Sequence, residues 1–188
     1  MSAMADAGAK EVVAQAPLVS AIIIFLDAER FIEEAIESVL AQTCGAWVLL
    51  LVDDGSSDAG TNIARRYAAR HPDRMRYLEH PGHANRGMSA ARNLGIANAR
   101  GAYVAFLDAD DVWLPQRLER HVDVLEREPD LSAVYGPSRY CSAGKPASAT
   151  SDRAIASLTA MLRSASRGST RSRPRPKRPT SHAGRPSA

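Results

Sequence analysis

The chain has 188 residues, 45% of them hydrophobic and 24% charged, which suits one domain with a sizeable core and some chain besides. Its net charge of +3 hides two unlike parts: residues 1–136 hold 13 Lys and Arg against 20 Asp and Glu, a balance of −7, and residues 137–188 hold 11 against the single acid Asp152, a balance of +10. Apolar runs such as Ala46 to Val52 fall far short of the ~20 residues of a membrane span, and Cys44 and Cys141 stand far apart with no metal-ligand spacing, so composition argues against a transmembrane or disulfide-stapled chain and for a reducing, cytoplasmic setting.

Residues 1–17 lack a basic start followed by an apolar stretch and read as a flexible leader, not a signal peptide. Val19 to Leu26 is nearly continuous apolar sequence, the pattern of a strand buried on both faces, and Asp27 ends it. A helix is expected from Ala28 to Gln42, with Phe31, Ile32, Ala35, Ile36, Val39 and Leu40 at helical spacing and Gly45 as its stop. Trp47 to Val52 is a second buried strand, closed by Asp53-Asp54-Gly55-Ser56-Ser57-Asp58. There Gly55 permits a tight turn, and Ser56 or Ser57 is placed to cap a helix running to Arg70.

Met75 to Leu78 is a short third strand, followed by a loop from His80 to Gly87. The helix expected over Ser89–Ala99 is small-sided (Ala90, Ala91, Gly95, Ala97), so it can lie close to a sheet. Tyr103 to Leu107 is a fourth strand, Pro115 to Glu128 a fourth helix, and Leu131 to Tyr135 a fifth strand. Strands alternating with helices imply a Rossmann-like, mainly parallel sheet over residues 18–136. Residues 137–188, rich in Ser, Ala, Arg, Pro and Thr, form a basic tail expected to be disordered, with at most a short helix marked by Ile155, Leu158 and Leu162 behind Ser151.

Two acid clusters end two different strands: Asp53-Asp54, and Asp108, Asp110 and Asp111. Carboxylates packed this closely repel, and a hard divalent cation that also touches phosphate oxygens relieves the repulsion. In a doubly wound sheet both strand ends lie on one edge, so one cluster can read a nucleotide while the other holds a metal on its diphosphate. Arg92 can add a positive contact to the same group. An acidic loop that merely caps the next helix is the plain alternative. There is no phosphate-binding P-loop and no dinucleotide fingerprint after the first strand. An aspartyl-phosphate phosphatase would carry its Asp pair after the first strand, not the fourth. His71, His80 and His83 are close enough in sequence for a metal trio, but loop histidines are more commonly solvated.

Taken together, Val19-Ser20-Ala21-Ile22-Ile23, the stretch Ala28 to Thr43, Leu51-Val52-Asp53-Asp54-Gly55-Ser56-Ser57-Asp58, Gly87-Met88-Ser89-Ala90-Ala91-Arg92-Asn93-Leu94-Gly95-Ile96 and Ala105 to Trp113 resemble family 2 glycosyltransferases over roughly residues 18 to 136. The resemblance implies an A-type glycosyltransferase fold, a nucleotide-diphospho-sugar donor (a UDP-sugar first), an acceptor hydroxyl, and Mg2+ or Mn2+. It implies that Asp54, with Asp53 beside it, contacts the base or ribose. Asp108-Ala109-Asp110 is then the Asp-x-Asp motif, with Asp110 the direct metal ligand and Asp108 a ligand nearer the ribose, and Arg92 lies near the nucleotide.

The chain departs from the family pattern in two places. Where the family often has Pro-x-Tyr-Asn after the first strand, this chain has Ile24-Phe25-Leu26-Asp27, with Leu26 in place of an aromatic. The likeness also fades after Tyr135-Gly136-Pro137, before the acceptor-binding part that usually supplies the carboxylate base. The expectation is therefore an incomplete, truncated or frame-shifted donor half that transfers sugar poorly or not at all. The competing reading from another class is a non-catalytic binding protein whose basic tail contacts nucleic acid or an anionic membrane surface. Specific nucleic-acid binding is disfavoured because that tail has one aromatic residue, Tyr140. A nucleotidyltransferase would need a Gly-rich basic loop after the first strand, and none is present.

Overall fold

The computed structural model describes residues 18–136 and 160–164. In chain order the elements are β1 (Val19–Phe25), α1 (Ile32–Leu40), β2 (Trp47–Asp53), α2 (Gly60–Arg70), β3 (Met75–Glu79), α3 (Met88–Asn98), β4 (Tyr103–Asp108), α4 (Arg117–Arg127), β5 (Ala133–Val134) and β6 (Met161–Arg163), with a short 3-10 turn at Pro81–His83. The strands form one sheet in the order β3-β2-β1-β4-β6-β5. The first four are parallel, so Phe25 lies beside Asp53 and Ile24 beside Asp108. The expected mainly parallel architecture with both acid clusters on one edge is therefore present.

All seven residues of β1 are buried, and their alternation divides the core. Ala21, Ile23 and Phe25 pack with Ile32, Ile36 and Val39 of α1, Ala64 and Tyr67 of α2, and Leu118 and Leu125 of α4. Ile22 and Ile24 turn to the other face, against Ala91 and Leu94 of α3. A side chain at Gly95 would come within 2.7 Å of Ile22 Cγ2, which is why α3 is small-sided where it meets the sheet.

Several element ends differ from the sequence pattern, most of them because of hydrogen bonds to segments distant in the chain. The helix expected from Ala28 begins at Ile32 because Ala28–Phe31 form a turn, with the Glu29 amide donating to Asp58 Oδ2 at 2.7 Å. Ala41, not Gly45, closes it. Neither Ser56 nor Ser57 caps α2, which starts at Gly60; both serines bond Asp27 instead. Helix α4 starts at Arg117, not Pro115, because the turn after α1 holds the preceding segment: the Gln42 side-chain amide donates to the Leu114 carbonyl (2.8 Å) and the Thr43 amide to the Pro115 carbonyl (2.8 Å).

The strand expected over Leu131–Tyr135 shrinks to Ala133–Val134. The larger correction concerns the C-terminal region. Leu162, read as part of a short helix in a disordered tail, lies in β6, which pairs antiparallel with both β4 (Ala105 with Met161) and β5. Met161 is fully buried, and the Arg163 side chain donates to the Leu125 and Leu131 carbonyls beside the Tyr103 ring. Alternation in a three-residue strand is too short to distinguish from a helix turn by periodicity. Residues 1–17, Ile155, Leu158, Cys141 and the rest of the basic tail lie outside the described residues. No helix among the described residues is long and apolar enough to cross a membrane.

If β6 is an integral part of the sheet, Met161→Ala should lower stability by about 2–5 kcal/mol, the usual cost of emptying a buried Met site. Urea unfolding measures it; an unchanged midpoint would mean that β6 contributes nothing to the core.

Candidate functional site

The chain steps outward from β1 through β2 and β3, then returns to β4 on the other side of β1. Such a reversal leaves a crevice beyond the carboxyl ends of the two diverging strands. A cleft of about 510 Å³ opens there, lined by Ile24 to Ala28 after β1, Asp54 after β2, Asp108 to Asp110 after β4, and Met88 and Ala91 of α3. Leu26, Phe31 and Met88 are 46%, 45% and 57% exposed and give the cleft an apolar lip.

The turns after β1 and β2 are bonded to each other reciprocally. The Asp27 amide donates to Ser56 Oγ at 3.1 Å, and the Ser57 amide donates to Asp27 Oδ1 at 2.7 Å. The Glu29 amide reaches Asp58, and the Ala59 amide reaches Glu29 Oε2 at 3.0 Å. Asp27 itself is held at φ 50°, in the left-handed region that L residues rarely adopt. Its carboxyl is held below the usual carboxylate range, chiefly by the Ser57 amide.

The two neighbouring acids after β2 have different jobs. Asp53 is completely buried; its Oδ1 accepts the Ser56 amide (2.8 Å), and its Oδ2 accepts the hydroxyls of Thr61 (2.5 Å) and Tyr77 (2.9 Å). It does not line the cleft. Expected beside Asp54 on the nucleotide, Asp53 is instead an internal acceptor that shapes the turn. Asp54 does line the cleft, and its Oδ1 accepts the Arg86 amide at 2.9 Å.

That amide belongs to a loop pressed on the β2 turn. Gly55 has φ 86°, and a Cβ there would lie 2.7 Å from the Asn85 amide nitrogen and 2.9 Å from the His83 carbonyl oxygen. His83 lies across the junction, with Nε2 2.8 Å from the Ser56 carbonyl and Nδ1 2.7 Å from Glu79 Oε2. The Ser56 carbonyl first, and then the Glu79 carboxylate, raise the His83 pKa above its ordinary value. Glu79 is correspondingly lowered, first by the Tyr77 hydroxyl, while burial raises Tyr77.

On the β4 side, Arg92 of α3 reaches Asp108 Oδ1 at 3.2 Å, and both side chains are partly exposed. Asp110 follows on the same cleft wall. The segment beyond it is anchored by α1: the Trp113 amide donates to the buried Ser38 Oγ (3.1 Å), and the Leu118 amide to Gln42 Oε1 (3.0 Å). The structure thus brings Asp54, Asp108 and Asp110 to one cleft, with Arg92 paired to Asp108 at its edge, and takes Asp53 away from it. No group of three or more His, Cys, Asp or Glu among the described residues has metal-binding geometry. Sequence reasoning took Asp27 only as the end of the first strand and His83 only as one of three loop histidines, and assigned neither the role it has in the fold. Asp27 carries a weak signal, a polar residue directly after a buried strand; His83 carries none, because its partners Ser56 and Glu79 are joined to it only by the fold.

The sequence profile described as glycosyl transferase family 2 matches residues 20–182. The chain is 39% identical over 118 residues to the putative glycosyltransferase EpsE of Bacillus subtilis, covering 63% of this chain and 42% of EpsE. It is 35% identical over 132 residues to the putative teichuronic acid biosynthesis glycosyltransferase TuaG of the same organism, covering 69% of this chain and 50% of TuaG. The chain spans half or less of the length of these relatives. Among solved structures it resembles the mannosyltransferase PcManGT from Pyrobaculum calidifontis in complex with GDP-Man and Mn2+, with TM-score 0.58 and 28% identity, covering 65% of this chain and 36% of that one. A likeness of fold extends to S. aureus TarS 1-349 in complex with UDP-GlcNAc, with TM-score 0.54 and 24% identity, covering 59% of this chain and 32% of that one.

Two outcomes test this local geometry. Gly55→Ala should cost about 1–3 kcal/mol in chemical unfolding, from left-handed strain and collision with the Asn85 backbone; a neutral effect would show that the loop is not in close contact. A carboxyl depressed in the folded state stabilises above its unfolded value, about 3.8 for Asp27, and loses that contribution as pH falls through its folded value. Asp27→Asn, which tolerates the same backbone, should therefore destabilise at neutral pH, with the difference from wild type closing below that value. A pH-independent difference in melting temperature would contradict this.

Proposed function

The chain belongs to glycosyl transferase family 2, and from that premise we propose that its cleft binds a nucleotide-diphospho-sugar together with a divalent cation, for transfer of the sugar to an acceptor hydroxyl. The observation that carries this is the convergence of Asp54, Asp108 and Asp110 on one crevice from two strands on either side of β1. Asp54 has Oδ1 on the Arg86 amide and presents acceptor capacity to the N–H of a base or the hydroxyl of a ribose. The apolar lip of Leu26, Phe31 and Met88 offers a packing surface for a ring. Asp53 acts indirectly, by shaping the turn that presents Asp54.

Asp108 and Asp110 fit Mg2+ or Mn2+. They are hard oxygen donors, two in number, and no third protein ligand completes a cage among the described residues. That donor set suits a cation that keeps positions open for phosphate oxygens. When bound, the cation neutralises charge on the departing nucleoside diphosphate. Arg92, on Asp108 at 3.2 Å, orients that carboxylate and brings a guanidinium beside the diphosphate. A UDP-sugar is the first donor to test, with a GDP-sugar second. Inverting transfer also needs a base on the acceptor side. The cleft carboxylates described above are assigned to the turn or the donor, so this chain on its own is expected to bind donor in the cytoplasm and to turn it over poorly.

Calorimetric titration of the chain with UDP, with and without Mn2+, tests the proposal. Binding should require the cation, and Asp110→Ala should weaken it about tenfold or more, as loss of ligand support at a metal does. Equal binding by the variant, or binding indifferent to Mn2+, would overturn it.

A further inference from the structure

The loop from His80 to Gly87 reaches the wall of the cleft through one backbone amide, that of Arg86 on the cleft-lining Asp54. His83 is the side chain that spans from this loop to the β2 turn and to β3. The chemistry of the two contacts is restrictive. The Ser56 carbonyl is only an acceptor, so the Nε2 facing it must carry a proton. The ionised Glu79 carboxylate is also only an acceptor, so Nδ1 must carry one too. Both contacts are satisfied together by the imidazolium alone; a neutral ring sets a lone pair against one of the two oxygens.

We propose that His83 is a positioning residue for donor binding: as imidazolium it pins the 80–87 loop to the β2 turn through Ser56 and Glu79, and so fixes the Arg86 amide that aims the Asp54 carboxylate into the cleft. The inference rests on the reading of Asp54 as a nucleotide contact. The groups facing His83 favour the charged ring. Glu79 of β3 and Asp53 of β2 are its anionic neighbours; the Tyr77 hydroxyl of β3 lies between them with one proton to share, 2.7 Å from Glu79 Oε2 and 2.9 Å from Asp53 Oδ2, and Arg65 of α2 pairs with Glu79 at 3.0 Å. The raised His83 pKa follows, and the sign is fixed. The imidazolium contacts are intact below the ordinary histidine value and are lost as pH rises through the raised one. Gly55 makes the coupling tight, because the loop backbone rests on the turn with no side chain between them.

The test is a titration of UDP-glucose with Mg2+ into the full chain from about pH 6 to about pH 9, beside His83→Gln, Glu79→Gln and Asp54→Asn, with thermal melts to verify folding. UDP-glucose has no phosphate group that titrates near neutrality, so a slope in that range reports the protein or the base. Wild-type affinity should fall about fivefold or more as pH rises, a typical coupling between sites. His83→Gln should bind weakly with a flat profile. Glu79→Gln removes an anion that holds the proton, so its midpoint should move to lower pH, a shift that a purely structural role would not produce. Should His83→Gln fail to fold, that midpoint decides. Coincident profiles for wild type and the His83 and Glu79 variants, with Asp54→Asn weakened, would overturn the role of His83 and leave Asp54 as a contact. Wild-type binding by Asp54→Asn would overturn the reading of Asp54 and the inference with it. Absence of wild-type binding at every pH would overturn both.

Discussion

Every residue of β1 is buried, and its backbone is bonded on both edges, to β2 and to β4. A strand in that position has no face left for water, so helices must cover the sheet on both sides. Its side chains sort themselves by alternation, Ala21, Ile23 and Phe25 one way and Ile22 and Ile24 the other. The chain can leave β1 in only two lateral directions, and it uses both. The crevice is where those directions diverge. The cleft is therefore a topological product of the central strand, and the side chains after β1, β2 and β4 decorate a concavity that the topology already makes.

Much of this is legible in the residues. The continuous apolar runs mark strands buried on both faces, and each of the first four lies close to its expected position. The small side chains of α3 correctly announce close approach to the sheet. The acid clusters mark the sheet edge where the cleft opens, because carboxylates at the ends of apolar strands stand out from the packing pattern, although Asp53 serves the fold itself. What sequence cannot separate is Asp53 from Asp54. Adjacent residues leaving a strand point to opposite sides. Which side holds Thr61 and Tyr77, and which holds the cleft, depends on partners from α2 and β3.

The polar scaffold is less legible for a related reason. Ser38 and Gln42 look like minor interruptions of an amphipathic helix, yet both are buried and hold the segment that follows Asp110. Their partners lie more than 70 residues away. Ser56 and Ser57 look like helix caps by local chemistry, but Asp27 engages both across two turns, its amide donating to Ser56 Oγ and its carboxylate accepting from Ser57. Local capping rules fail here because the amides at these turns are satisfied across the fold. The positive φ of Asp27, at the mouth of the cleft, is the backbone price of that arrangement.

Strand β6 carries a consequence for how the chain is made. The first four strands form a contiguous parallel unit that ends at Asp108, but the outer edge of β4 receives its partner only when Met161 to Arg163 have been synthesised. Until then, unpaired peptide groups of an apolar strand lie at that edge. Exposed strand edges pair readily with other chains, so the vulnerable species is the nascent chain between these two points. A chain halted between these two points carries that edge unpaired, the kind of surface that chaperones recognising extended apolar segments are suited to shield.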